Sequence, residues 1–315
     1  MPHSGCTEKD MYAEYASVRG AVKLAKSALS PITTTCQVCS TFGVHSKLPI
    51  LKTLYDAGDA LFFANTGVLF EPVTKADWNV KTQTQLFAHN VQQRDTMQVD
   101  AFQKVAGTGV LGRIADSLTK FGFNTGSFSV TGRQTALINE AGKSPSIYSV
   151  GKSGVTPFNQ KPTTDNMTSS IADVNNVKTS KSGFFANTWS ELFDEAMIQT
   201  DTILGSLAGV EPSVSFLSTI IGAQLKIVAQ ITQARESFNM DRQFFMSEMG
   251  AFDSHLNTDE TLLEKFPEIN AAIEQYVAEM KALGVWNNAI LILASDFGRT
   301  LTANSGEGTD HAWGK

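Results

Sequence analysis

Apolar residues along this chain recur in two patterns, some at helical spacing and some as short continuous runs. Tyr12 to Leu29 fits an amphipathic helix, with Tyr15, Val18, Val22, Leu24 and Ala25 near one face. Lys47 to Ala57 reads as a second helix, with Leu51, Leu54 and Tyr55 turned inward and Gly58 placed to end it. Val110 to Phe121, Phe184 to Leu207 and Ser213 to Phe238 follow as helices. In the last of these Phe216, Ile220, Ile227 and Ile231 keep the spacing, and Leu217, Ile221, Leu225 and Val228 widen the stripe enough to imply burial. Pro267 suits the first turn of a final helix that runs to Leu283 and is ended by Gly284. Among the short runs, Ala60 to Asn65 and Ile290 to Ala294 read as strands buried on both faces. Arg242 to Met249, Gly126 to Gly132 and Ser144 to Val150 are further strand candidates, whereas residues 1 to 12 are polar and irregular. Helix, glycine, buried strand is the rhythm of an α/β protein with a doubly wound, mostly parallel sheet flanked by helices. From about 150 to 185 the chain turns rich in Ser, Thr, Asn, Lys and Gly, which marks a polar insertion or loop region within a single domain spanning 1–315.

Composition narrows the classes. A chain of 315 residues can build one large α/β domain or two smaller ones. Its net charge of −6 and the lack of a basic stripe argue against nucleic acid as a partner. No run approaches the length of a membrane span. The opening MPHSGCTEKD has neither the basic nor the apolar region of a signal peptide. The compartment is therefore not assigned, and a secreted or periplasmic location stays open. Oligomeric state is not legible either. Of the three cysteines, Cys36 and Cys39 form one CxxC with no second pair to complete a zinc ribbon, and the flanks are not those of a thioredoxin motif. A local or Cys6-linked disulfide, or plain thiols, remains. Gly107, Gly109 and Gly112 match GxGxxG, but no strand precedes them and no acidic residue sits about twenty positions on. They read as packing glycines at a helix start, not as a dinucleotide loop. Asn166-Met-Thr168 is a glycosylation sequon that matters only in a secreted protein.

The chemistry gathers where strands end. The run Ile290 to Ala294 breaks into Ser295-Asp296-Phe297-Gly298-Arg299, and a Gly-rich loop then closes on Asp310-His311. Arg242 to Met249 runs into Gly250-Ala-Phe-Asp253-Ser-His255. His89 lies downstream of Ala60 to Asn65, flanked by Asn90, Gln92 and Gln93 as suits a polar cleft. Loops at the carboxyl ends of strands carry the chemistry of open α/β sheets. Two residues apart, Asp253 and His255 fall on one side of an extended segment. Imidazoles with carboxylates suit Zn²⁺, Mn²⁺ or Fe. Asp253, His255, Asp296, Asp310 and His311 are thus candidate metal ligands, with Asp310 either a ligand or an orienter of His311. Arg299 can hold a phosphate or sulfate group, or form a structural salt bridge. Phe297 reads as core packing and Trp313 has no assigned role. No GxSxG elbow is present and His89 has no serine beside it, so a Ser-His-Asp hydrolase ranks behind.

The stretches GVHSKLPILKTLYDAGDALFFANTG, EPVTK, QLFAHNVQQ, GAFDSHL and SDFGRTLTANSGEGTDHAWG, in that order, resemble the domain of unknown function 1501 family. That resemblance implies an alkaline-phosphatase-like fold and a metal-dependent hydrolase of phosphate or sulfate esters. It implies paired divalent metals, Zn or Mn, and a small anionic ester as substrate. One metal would be held by Asp253, His255 and His311, and the other by a set that includes Asp296, while His89 and Arg299 would position substrate. Two departures accompany it. Relatives often carry a serine where this chain has Ala88, and many superfamily members a histidine where it has Phe297. Alanine has no oxygen with which to attack or coordinate. Relatives also begin with a strand and an acidic loop, and continue past the His motif. The expectation is a fragment lacking the first strand and C-terminal elements. The rival expectation is a catalytically degenerate relative that binds metal or an anion, or is structural.

Overall fold

A computed structural model describes residues 1–102, 107–132, 135–140, 147–154, 170, 173–175 and 183–312. The sequon at Asn166, Trp313 and most of the polar 150–185 region lie outside these residues.

The N-terminal segment is more ordered than its polarity foretells. Strands β1 (Pro2–Cys6), β2 (Leu29–Thr33) and β3 (Cys39–His45) form an antiparallel sheet in the order β1-β3-β2. Cys6 and Cys39 face each other in register and are joined by a disulfide, while Cys36 is a free, exposed thiol. The helix expected over Tyr12 to Leu29 is only α1 (Met11–Arg19). It ends at Gly20, whose N–H donates to the Ala16 carbonyl, and by Leu29 the chain is already paired in β2. Arg19 at the end of α1 donates Nη1 to the carbonyls of Thr300 (3.0 Å) and Leu301 (3.3 Å), tying this sheet region to residues 281 and 282 positions further on.

Next come α2 (Pro49–Asp56), α3 (Trp78–Lys81), α4 (His89–Gln98) and α5 (Val110–Lys120). Proline at N1 starts α2 because its missing N–H would go unused there, and Leu54 supplies the buried face. The GxGxxG stretch serves packing. A Cβ on Gly109 would come within 2.0 Å of the Thr135 carbonyl oxygen, and one on Gly112 within 2.1 Å of that of Ile138. Only glycine lets α5 approach that turn so closely.

A second, parallel sheet has the order β5-β4-β6, made of β4 (Thr125–Ser129), β5 (Tyr148–Ser149) and β6 (Arg242–Met246). β4 is central and buried along its whole length. Phe128 stands in register with Tyr148 on one side and Phe245 on the other and stacks on both rings, at 5.0 and 5.4 Å. Helices α6 (Gly183–Leu207), α7 (Ile220–Gln233) and α8 (Thr258–Ala282) complete the layer, and the main core lies between β4, α7 and α8.

Two helix boundaries differ from expectation. The Ser213 to Phe238 helix is only α7, capped by the Thr219 side chain. Ahead of it, Ser213 and Val214 both donate to Glu279 Oε2, and the Leu217 N–H donates to Gln275, so this segment is a strap stitched onto α8. Pro267 does not start the last helix but sits inside α8. The earlier start is held because the Thr258 N–H donates to the Glu307 carbonyl and its hydroxyl to the Ser254 carbonyl, with Asp259 and Glu260 in the positive first turn.

Two expected strands are absent. Ala60 to Asn65 and Ile290 to Ala294 lie outside every sheet among the described residues. Leu61 and Phe63 are 72% and 76% exposed, and Ile290 and Ile292 88% and 75%. A continuous apolar run states what could be buried on two faces; it does not supply a neighbouring strand. The observed class is α/β with a parallel sheet and helices, to which the N-terminal antiparallel sheet is an unexpected addition. Among the described residues no helix is long and apolar enough to cross a membrane.

Candidate metal centre

Three segments distant in sequence meet at one place: the N-terminus of α4, the Asp253–His255 loop leading into α8, and the 296–311 segment. His89 is the first residue of α4. The loop Ala251 to Asn257 turns sharply, with left-handed backbone at both of those residues (φ 68° and 47°). The last segment folds back on itself. Arg299 and His311 form an antiparallel bridge, the Thr300 N–H donates to the Asp310 carbonyl and the Ala312 N–H to the Gly298 carbonyl. Asn304 organises the Gly-rich loop: its Oδ1 accepts the N–H groups of Gly306 and Gly308, and its Nδ2 donates to the His255 carbonyl. Gly308 passes so close that a Cβ there would lie 2.0 Å from the His255 carbonyl oxygen.

The histidines share one orientation. His89 Nδ1 is 2.5 Å from Asp296 Oδ2, His255 Nδ1 is 3.3 Å from Asp310 Oδ1, and His311 Nδ1 is 2.7 Å from the Phe87 carbonyl oxygen. Each of those partners is an acceptor, so in the neutral imidazole each bond selects the Nδ1–H tautomer. The Nε2 lone pairs are thereby left for the centre. There His255 Nε2 and His311 Nε2 stand 3.0 Å apart, both about one hydrogen-bond length from Asp253 Oδ1, at 3.0 and 2.9 Å. His89 Nε2 is buried, has no hydrogen-bond partner, and lies 3.4 Å from Asp253 Oδ2. Ligand atoms of His89, Asp253 and His311 all fall within 4.8 Å of one another.

The carboxylate already has one positive partner, the Arg299 guanidinium. A proton on one imidazole, or a divalent cation, would satisfy the converging Nε2 lone pairs as well. The donors fit such an ion: imidazole nitrogens and one carboxylate are borderline ligands for zinc or manganese, and the orphaned His89 Nε2 is the atom a cation would satisfy. Asp296, Asp310 and the Phe87 carbonyl stand where outer partners of metal-bound histidines stand.

Electrostatics follow the contacts. Burial acts most strongly on Asp253 and opposes its charge. The hydrogen bond from Arg299, the one that His311 gives when its ring is protonated, and the charges of protonated His255 and of Arg299 together outweigh it and hold the carboxyl at about 2. Asp310 is lowered as well, by hydrogen bonds from Asn304 and His255.

All seven side chains singled out from the sequence (His89, Asp253, His255, Asp296, Arg299, Asp310 and His311) lie in this cluster. Their positions within it differ from the expected roles. Asp296 spends Oδ2 on His89 and Oδ1 on the Phe297 N–H, and so stands behind His89. His89 faces the centre. Arg299 is bound to Asp253 and Thr309, the salt-bridge alternative. Phe297 is buried, and its ring packs on both His89 and His311 at 4.6 Å between centroids, forming the back wall. Sequence reasoning missed Phe87, which acts through its backbone: a left-handed φ of 63° accompanies the contact of its carbonyl with His311. It also missed Thr309 and Asn304, which touch only neighbouring side chains and main chain. Nothing in their residue types signals these roles.

A family profile described as "Protein of unknown function (DUF1501)" matches residues 83–315, well over half of the chain and every member of the cluster. No curated protein and no solved structure matches the chain.

Proposed function

The chain belongs to the DUF1501 family, whose function is unknown, and from that premise we propose that it is a metal-dependent hydrolase of phosphate or sulfate esters on an alkaline-phosphatase-like doubly wound fold. The observation that carries the reading is the common orientation of His89, His255 and His311. Each Nδ1 is tied to an acceptor and each Nε2 is turned toward Asp253.

In this reading His89, Asp253, His255 and His311 hold the ion. Asp296, Asp310 and the Phe87 carbonyl keep the imidazoles in the binding tautomer. A bound Zn²⁺ or Mn²⁺ supplies Lewis acidity toward an ester oxygen. Phe297 excludes water from one side. The opposite side is open, since Asp253, His255 and Asp310 are all exposed. An open side favours a catalytic site over a closed structural one.

Ala88 supports a second reading, a catalytically degenerate relative that binds metal or an anion. The residue before His89 carries no oxygen to act as a nucleophile. One experiment separates the two: metal analysis of the purified protein, paired with aryl phosphate and aryl sulfate assays before and after loading with Zn²⁺ or Mn²⁺. Turnover that follows metal content supports the hydrolase. Stoichiometric metal without turnover leaves the binding protein, and the absence of both ends the metal reading.

A further inference from the structure

We infer that Arg299 is a positioning residue for this centre: it clamps Asp253 through Oδ1, so that Oδ2 is the oxygen offered to the ion. The inference rests on the metal-centre reading above and adds to it which oxygen binds and what holds it.

The guanidinium is anchored from behind. Its side chain is only 17% exposed. Nε donates to Thr309 Oγ1 at 2.8 Å, Nη2 donates to the Thr309 carbonyl, and Nη1 donates to Asp253 Oδ1 at 2.5 Å. Thr309 is itself fully buried, and its N–H donates to the Ser254 carbonyl. A rigid planar fork held at two points of one edge by a buried residue cannot swing off the carboxylate without breaking buried hydrogen bonds. Arg299 therefore bolts the Asp253–His255 loop to the segment that carries Asp310 and His311.

The two oxygens of Asp253 are consequently unlike. Oδ1 already accepts a hydrogen bond from the Arg299 guanidinium. Oδ2 meets His89 Nε2, the buried atom without a hydrogen-bond partner. The guanidinium charge opposes a nearby cation, an effect reduced by its pairing with Asp253. The geometric effect dominates: without the clamp, Asp253 sits on an exposed loop and is free to turn either oxygen, or both, toward the ion. Hydrogen bonds to ligating carboxylates of this kind set metal affinity over roughly 10–100-fold.

The test is Zn²⁺ titration calorimetry on the whole chain, comparing wild type with Arg299→Gln, Arg299→Lys and Thr309→Val. It is paired with thermal melts of the metal-free proteins and visible spectra of the Co²⁺-loaded ones. Arg299→Gln should raise Kd about 10–100-fold and alter the Co²⁺ spectrum, because the carboxylate changes its mode of contact. Lysine keeps the charge but cannot span Asp253 and Thr309 together, so it should not restore affinity. Thr309→Val removes only the anchor hydroxyl; it should weaken binding by a smaller factor, and it carries the test if Arg299→Gln does not fold. Lowered melting temperatures with wild-type Kd and an unchanged Co²⁺ spectrum would reduce Arg299 to a structural role and overturn the inference. Tighter binding by Arg299→Gln would also overturn it, since the arginine would then be occupying the ion's place. A wild-type protein that binds no Zn²⁺ removes the centre, and the clamp falls with it.

Discussion

Asp296→Asn changes one atom and should take His89 out of the centre. Asp296 Oδ1 accepts the Phe297 N–H at 3.1 Å, while Oδ2 accepts His89 Nδ1–H at 2.5 Å. In an asparagine the carbonyl oxygen stays on the Phe297 N–H, where a donor is fixed by the backbone. The amide nitrogen is then forced toward His89. Two donors cannot face each other, so His89 must move its proton to Nε2, and its lone pair leaves the site. The loss is that of an outer partner on a metal-bound histidine, about 10–100-fold in affinity, or roughly 1.4–2.7 kcal/mol. Zn²⁺ titration reads the affinity, and nitrogen-15 NMR of the imidazoles reads which ring nitrogen carries the proton. His89→Ala sets the floor, and Asp296→Asn should lie between it and wild type. If Asp296→Asn binds Zn²⁺ as wild type does, with Nδ1 still protonated, the tautomer argument is wrong and His89 is not a ligand.

Other expectations follow from the same geometry. The Asp253 carboxyl is held at about 2 against an ordinary 3.8, so its charged contacts stabilise the fold above pH 4 or so and lose that contribution as pH falls toward 2. The stability difference between wild type and Asp253→Asn, followed by urea melts, should be flat above that range and shrink below it; a difference that grows on acidification contradicts the assignment. Gly308→Ala places a Cβ 2.0 Å from the His255 carbonyl oxygen. The backbone must shift, costing on the order of 1–3 kcal/mol, with His255 displaced; an unchanged denaturation midpoint contradicts that contact. The Cys6–Cys39 disulfide closes a loop between residues 33 apart. Chain entropy puts its contribution at about 4 kcal/mol, and a matched pair of melts with and without reductant measures it.

Periodicity read the helices well where one face is buried and the ends carry their own punctuation, as in α2 with Pro49 and Gly58, or α5 with its glycines. It failed where the outcome depends on a neighbour. Nothing in Ala60 to Asn65 or Ile290 to Ala294 tells whether a strand lies alongside, and none does among the described residues. It also failed at short strands with few apolar positions, as in β1, which pairs through its backbone and the Cys6–Cys39 disulfide, and β2, whose buried Leu29 and Ile32 read as part of a helix and a loop. The candidate site divides in the same way. Asp253, His255, Asp296, Asp310 and His311 advertise themselves because their chemistry is in the side chain and they stand in the loops that follow apolar runs. Which of them faces the centre and which stands behind was not legible, because it depends on ring orientation. That orientation rests in part on a backbone carbonyl at Phe87 and a buried threonine at 309, neither of which is distinctive in a sequence.

The Arg19 bond to Thr300 spans 281 positions, among the longest closures in the molecule. Loop-closure entropy opposes such a contact until most of the intervening chain has collapsed, and contacts of high sequence separation are slow to form. On a ribosome α1 emerges 281 positions ahead of the segment it holds. Assembly of the His-Asp cluster therefore waits for that segment, and a cation arriving there can lock these contacts but cannot guide the steps before them.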